Sequence, residues 1–219
     1  MSFGNNVRKF DVPYIFNPTG CISVAARELL NDEDKAYLRE LCAGASFVVN
    51  VGTFTGASSE AMLEGMGESG ACLSIDTFRG TEGAADTNMS PVLAMGCYLT
   101  RIERFSLRGQ TLIADSVSAA KMLRPGIADV VFIDAAHNYA SVKEDILAWR
   151  EIVRPGGVLC GHDYDRVIDE APEGWLEVVG DYEETTDNLH PGVYRAVREL
   201  CPGFTLASDT NSSIWMVRV

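Results

Sequence analysis

FVVNVGTFTG, residues 47–56, decides the fold. Its first half is a β-branched run that is apolar on both faces, as expected of a parallel strand with helices covering either side. Its second half is a turn with glycine at 52 and 56, and ASSEAML (57–63) behind it is compatible with a helix. A buried strand that passes through glycine into a helix lets backbone approach a ligand closely and offers free amides at the helix start, an arrangement suited to a nucleotide. A dinucleotide turn needs G-x-G-x-x-G and a P-loop needs G-K-[ST]. Thr53 and Phe54 follow Gly52, and Ala57 and Ser58 follow Gly56, so neither a pyrophosphate nor ATP is indicated.

Working outward, further short apolar runs occur at 71–75 (ACLSI), 111–114 (TLIA), 129–133 (DVVFI) and 157–160 (GVLC), each separated by enough chain for a helix. That alternation predicts an α/β protein with a Rossmann-like, doubly wound sheet, mostly parallel. FTLAS (204–208) and SIWMVRV (213–219) flank a short turn and should pair antiparallel, which makes the last strand the exception. Asn31 ahead of Asp32, Glu33 and Asp34 predicts a capped helix over 32–43, closed by Gly44. Ser141 and Glu144 read as a capping box before Val142, Ile146, Trp149 and Val153, with Pro155 as the stop, and another helix is expected near 191–200.

The chain has 219 residues, 47% apolar and 22% charged, which suits one domain with a sizeable core. Residues 1–45 read as an N-terminal arm and helices, in which Pro13, Pro18 and Gly20 suggest an extended segment able to join copies of the chain into a homo-oligomer. Residues 46–219 read as the ligand-binding domain. Two polar stretches at strand ends, 77–91 and 164–190, are candidate walls of the site, the second a lid carrying Tyr164, Trp175 and Tyr182. With 18 basic and 31 acidic residues the net charge is -13, which opposes nucleic acid and anionic lipid as partners. No run of ~18 apolar residues could span a bilayer, and MSFGNNVRKF lacks the apolar centre of a secretory signal, so a cytoplasmic location is expected. Six dispersed cysteines (Cys21, Cys42, Cys72, Cys97, Cys160, Cys201) without a C-x-x-C pair are expected to be reduced, mostly buried thiols.

Asp76 ends the second strand of the domain, where a carboxylate can accept hydrogen bonds from both hydroxyls of a ribose. Asp115 and Ser116 follow the third, in position to meet an adenine edge. A phosphate-free ribosyl ligand fits these pieces. In their order, the motifs resemble those of class I S-adenosylmethionine-dependent methyltransferases. FVVNVGTFTG resembles the family's first motif, SIDTFRG its acidic second, and DVVFIDAAHNY with RPGGVLCGHDY its fourth and fifth strands. HPGVYRAVREL and SSIWMVRV resemble the end of a small-molecule O-methyltransferase branch that includes enzymes acting on antibiotic sugars and catechol-like phenols. The resemblance spans roughly residues 20–219. It implies S-adenosylmethionine as cofactor and a small hydroxylated acceptor. It also implies a cofactor set of Asn50, Gly52, Thr53, Gly56, Asp76, Asp115, Ser116 and Asp134, with Asn50 standing where the family usually places Glu or Asp beside the methionine ammonium group.

A hydroxyl becomes nucleophilic once a base takes its proton or a metal lowers its pKa. DVVFIDAAHNY supplies Asp134 and His137, and GVLCGHDY supplies His162 and Asp163, at the ends of strands expected to be neighbours. Asp134 and Asp163 are candidate oxygen ligands for Mg²⁺, and His162 as a third ligand favours Mn²⁺, Zn²⁺ or Fe²⁺. This set resembles the metal site of the catechol-type branch. His137 stands where related enzymes carry a lysine or histidine base, and an imidazole with a pKa near ~6.5 can take a proton at neutral pH. His190 reads as a loop residue that could reach the acceptor from a lid. A nicotinamide-dependent oxidoreductase shares the strand, turn and distal acid, and a non-catalytic adenosyl-binding protein would account for Asn50.

Overall fold

Two short strands, β1 (Tyr14–Phe16) and β2 (Ile22–Val24), pair antiparallel in the N-terminal arm. The computed structural model describes the backbone of these six residues and the whole of residues 30–80, 90–182, 184–208 and 211–219. Pro13, Pro18, Gly20 and Cys21, and most of the polar stretch 77–91, lie outside the described residues. Helix α1 (Asp32–Leu41) begins as expected, with the Asn31 side chain accepting from the Asp34 amide at 2.7 Å.

The main sheet contains β3 (Phe47–Val51), β4 (Ala71–Asp76), β5 (Gly109–Ile113), β6 (Ala128–Ile133), β7 (Val153–Gly161), β8 (Thr205–Leu206) and β9 (Trp215–Arg218). Their spatial order is β5-β4-β3-β6-β7-β9-β8. The first five are parallel, and β9 runs antiparallel to both β7 and β8. This is the doubly wound, mostly parallel sheet expected from the alternating runs, with its reversal at the C-terminus. Chain order reverses direction at β3, between β4 and β6, and ligands of such sheets bind beyond the strand ends at that point.

Alternation along β3 sends Val48 and Val49 into two different cores. On one side Val49, Val51, Ile146, Trp149 and Trp215 pack together, and on the other Val48, Leu38, Met62, Tyr98 and Phe132. The helices that flank the sheet are α1, α2 (Ala57–Gly65), α3 (Pro91–Ile102), α4 (Ser116–Met122), α5 (Tyr139–Arg150), the short α6 (Trp175–Val179) and α7 (Pro191–Leu200). Cys42, Cys72, Cys97, Cys160 and Cys201 are free and buried, and burial pushes the Cys72 thiol up to about 12. No helix among the described residues is long and apolar enough to cross a membrane.

Two local expectations need correction. Asn138, not Ser141, caps α5, its side chain accepting from the Ser141 amide at 3.0 Å, because the helix begins three residues earlier than the S-x-x-E pattern suggested. Pro155 does not end that helix. It lies inside β7, where pairing with β6 shifts register and no ladder bond is required of it. Tyr164, at the start of the stretch 164–190, is buried against Tyr194 and Phe204.

Candidate active site

Register fixes what leaves the sheet together. Val51 pairs with both Ile75 and Ile133, and Ile133 pairs with Gly161. Gly52, Asp76, Asp134 and His162 therefore stand at one edge, each at or just beyond a strand end. The chain at Gly52 takes φ +79, and a Cβ there would lie 1.9 Å from the Asp134 carbonyl oxygen, so no larger residue fits. The turn behind it is held by Asp76. One carboxylate oxygen accepts from the Thr53 and Phe54 amides at 2.8 and 2.7 Å, and the other accepts from the Phe78 amide at 2.7 Å.

A cavity of about 850 Å³ opens over this edge. Gly52, Thr53, Asp76, Asp115 and Ser116 line one end, and Asp134 lies between them and a second group of His137, His162, Asp163 and His190. Asn50 and Gly56 are not part of the wall. Asn50 is fully buried beneath the turn, its side-chain nitrogen 2.8 and 2.7 Å from the hydroxyls of Ser58 and Ser59 and 3.2 Å from that of Thr53. It anchors the turn to the start of α2, and its carbonyl oxygen is buried without a hydrogen-bond partner. Gly56 is the residue on which α2 begins.

Asp115 caps α4 by accepting from the Ser118 amide at 2.9 Å, and this bond lowers its pKa. Ser116 belongs to a buried chain. Trp149 Nε1 donates to its hydroxyl at 2.7 Å, and the hydroxyl donates to Asp145. Asp145, on α5, also lines the cavity, and burial raises its carboxyl to about 6. Sequence reasoning missed it, because a carboxylate inside a helix looks like a solvated face.

At the other end everything meets at Asp163. His162 Nδ1 lies 2.9 Å from Asp163 Oδ1, His137 Nε2 lies 3.1 Å from Oδ2, and His190 Nδ1 lies 3.7 Å from Oδ1. The chain has three histidines, and all three are here. His137 Nε2 also lies 3.9 Å from Asp134, and its ring meets that of His190 edge-on at 4.6 Å. Asp163 itself has φ +62, a strained conformation for a residue with a Cβ, and its amide donates to Ser213 Oγ at 3.1 Å.

Two residues complete the cluster from elsewhere in the chain. Asp34 of α1 is 1% exposed and places Oδ2 3.0 Å from His162 Nε2, while its other oxygen is buried without a hydrogen-bond partner. Asp165 accepts from the His190 amide at 2.6 Å and lies 3.2 Å from Nδ1. His190 is thus a buried member of the site, not a peripheral loop residue. Gly192 makes this possible, since a Cβ there would meet the His137 carbonyl oxygen at 2.3 Å and hold α7 away. A signal for Asp34 was present: it stands four residues before Leu38, on the face of α1 that faces the core.

Burial opposes charge at each imidazole, yet the surrounding carboxylates prevail. Asp134 and Asp163 hold His137 well above its ordinary value, Asp163 and Asp34 do the same for His162, and Asp165 and Asp163 raise His190. Asp163 is pulled well below the usual carboxylate range by His162 and His137, although its own burial works the other way. Two sets of side chains bring their ligand atoms within 4.8 Å of one another: Asp134, His162 and Asp163, and His137, Asp163 and His190.

Residues 49–164 match a family described as a methyltransferase domain. Among solved structures, the chain is similar to cofactor-bound Rv0187 from MTB, with 18% identity, a TM-score of 0.60, and 89% of this chain and 83% of that one covered. It is also similar to an O-methyltransferase from Bacillus cereus solved in complex with SAH, at 20% identity and TM-score 0.54 over 87% and 82% of the two chains. A third is the O-methyltransferase TomG from Streptomyces achromogenes, involved in tomaymycin synthesis and solved with SAM, at 17% identity and TM-score 0.56 over 87% and 81%. No curated protein sequence matches.

Proposed function

This chain belongs to the class I, S-adenosylmethionine-dependent methyltransferase family, and from that premise we propose that it transfers the donor's methyl group to a hydroxyl oxygen of a small molecule. One observation carries the reading. The glycine turn with Asp76 and the imidazole cluster around Asp163 line a single cavity, so a donor at one end and an acceptor at the other would meet in one space. Methyl transfer is an in-line displacement that needs alignment and a deprotonated oxygen, and little else.

In this reading Gly52, Thr53, Asp76, Asp115 and Ser116 receive the adenosyl part of the donor, with Asn50 and Gly56 shaping the turn from behind. His137 takes the acceptor's proton once its imidazole is neutral, and Asp163 and Asp134, 3.1 and 3.9 Å from its Nε2, stabilise the imidazolium that results. The same carboxylates hold His137 well above its ordinary value, so drawing off some of their charge would favour its action as a base at neutral pH.

Asp134, His162 and Asp163 could do this by holding a divalent ion. The mixed oxygen and nitrogen donors fit a cation, and the nitrogen favours Mn²⁺, Zn²⁺ or Fe²⁺ over Mg²⁺. Such an ion would neutralise Asp163 and lower the pKa of an acceptor hydroxyl. The test is methyl transfer from labelled S-adenosylmethionine across a panel of hydroxylated compounds, with and without EDTA. Transfer that EDTA abolishes and a divalent ion restores supports the full reading. Transfer indifferent to EDTA leaves the methyltransferase and removes the metal.

A further inference from the structure

The wall of the donor cavity contains a buried acid that neither the fold nor the chemistry above requires. Asp145 projects from α5 beside Ser116, 4% exposed, among the residues that line the cavity. Its surroundings fix the direction of every hydrogen bond. An indole N–H can only donate, so the Ser116 hydroxyl accepts from Trp149 and must send its own proton to Asp145 Oδ1. Oδ1 is thereby committed as an acceptor, and Oδ2 is the atom left to meet a ligand. Trp149 is fully buried, which holds the chain of bonds in place.

We propose that Asp145 is a specificity residue for the donor's nucleobase, its Oδ2 accepting a hydrogen bond from the exocyclic amine of adenine. This rests on the reading that an adenosyl donor occupies the Ser116 end of the cavity. An ionised carboxylate welcomes an N–H there and repels a carbonyl oxygen. The site should therefore reject a donor or product whose purine carries oxygen at that position. Burial raises Asp145 to about 6, with the neighbouring charges of Glu144 and Asp115 adding to the effect, so the carboxylate form dominates at neutral pH and is lost below it. Discrimination at the purine should weaken as the pH falls through that value.

The pinned geometry makes the isosteric variant informative. In Asp145→Asn the Ser116 hydroxyl still needs an acceptor, so the amide oxygen must face Ser116 and the NH₂ must face the cavity. That turns an acceptor toward the ligand into a donor, and preference should invert. The experiment is calorimetric titration of the intact protein with S-adenosylhomocysteine and with its deaminated counterpart S-inosylhomocysteine, for wild type and Asp145→Asn. The wild type is expected to bind the adenosyl compound at least about tenfold more tightly at pH 7.5, with the ratio shrinking at pH 5.5. The variant is expected to lose affinity for the adenosyl compound and gain it for the inosyl one. Equal wild-type affinities, or a variant that weakens both ligands alike, would overturn the assignment and leave Asp145 a packing residue. The wild-type ratio needs no variant to fold. Failure to bind either compound would overturn the donor reading itself, and this inference with it.

Discussion

The two ends of the cavity are built on different principles. The donor end is a backbone device: Gly52 must be glycine because its neighbour's carbonyl occupies the space of a Cβ, and Asp76 holds three main-chain amides. The acceptor end is a side-chain device, in which Asp34, Asp134, Asp163, Asp165 and three histidines converge from α1, β6, β7 and the start of α7. A backbone device fails all at once when its shape is violated. A charge cluster fails by degrees, and in a way that depends on pH.

That contrast can be broken or sharpened by substitution, and the largest effect belongs to the backbone end. Gly52→Ala places a methyl group 1.9 Å from a carbonyl oxygen at positive φ and is expected to cost about 4 kcal/mol or more, read as a fall in urea midpoint with donor binding lost alongside it. A variant that folds and binds S-adenosylhomocysteine normally would mean that the turn is less constrained than its geometry implies. Next in size, His137→Ala should lower turnover at least about a hundredfold while S-adenosylhomocysteine affinity stays within about twofold. Equal loss of both would place His137 in donor binding instead of proton transfer.

Asp34→Asn tests the charge cluster at its far edge. His162 is raised in the folded protein, so its pairing stabilises fully below the ordinary value of 6.5 and the benefit disappears as pH rises through the folded value. The variant should cost about 1 kcal/mol of unfolding free energy in metal-free protein at pH 6, shrinking as the solution becomes alkaline. A cost that is constant with pH would show that Asp34 acts by packing alone. The smallest effect is expected at Tyr182, 51% exposed within the stretch 164–190. Tyr182→Ala should change stability by no more than about 0.5 kcal/mol, and a rise in acceptor KM without a change in donor affinity would support a lid role for that stretch.

The same contrast explains how much was legible in the sequence. Strands with apolar runs, a glycine turn at 52 and acids at strand ends are local patterns, and register then carries Asp76, Asp134, His162 and Asp163 to one edge without further information. Asp34 and His162 are 128 residues apart, and although helical spacing from Leu38 places Asp34 on the core-facing side of α1, that local pattern does not name its partner. His190 looked like a loop residue because only the packing of Gly192 against residues 137–139 brings it inward. Asn50 was assigned to the cofactor through resemblance, yet its alternation along β3 buries it under the turn among the hydroxyls of Thr53, Ser58 and Ser59. Asp145 was hidden by its position in a helix whose buried face also carries Val142, Ile146 and Trp149.

The most direct test of a shared cavity is a crystal structure of the protein with S-adenosylhomocysteine bound. The account predicts the ribose at Asp76, the purine beside Ser116 and Asp145, and the sulfur directed toward His137 and Asp163. A sulfur pointing away from the imidazole cluster would contradict it, since no acceptor held at Asp163 could then receive the methyl group.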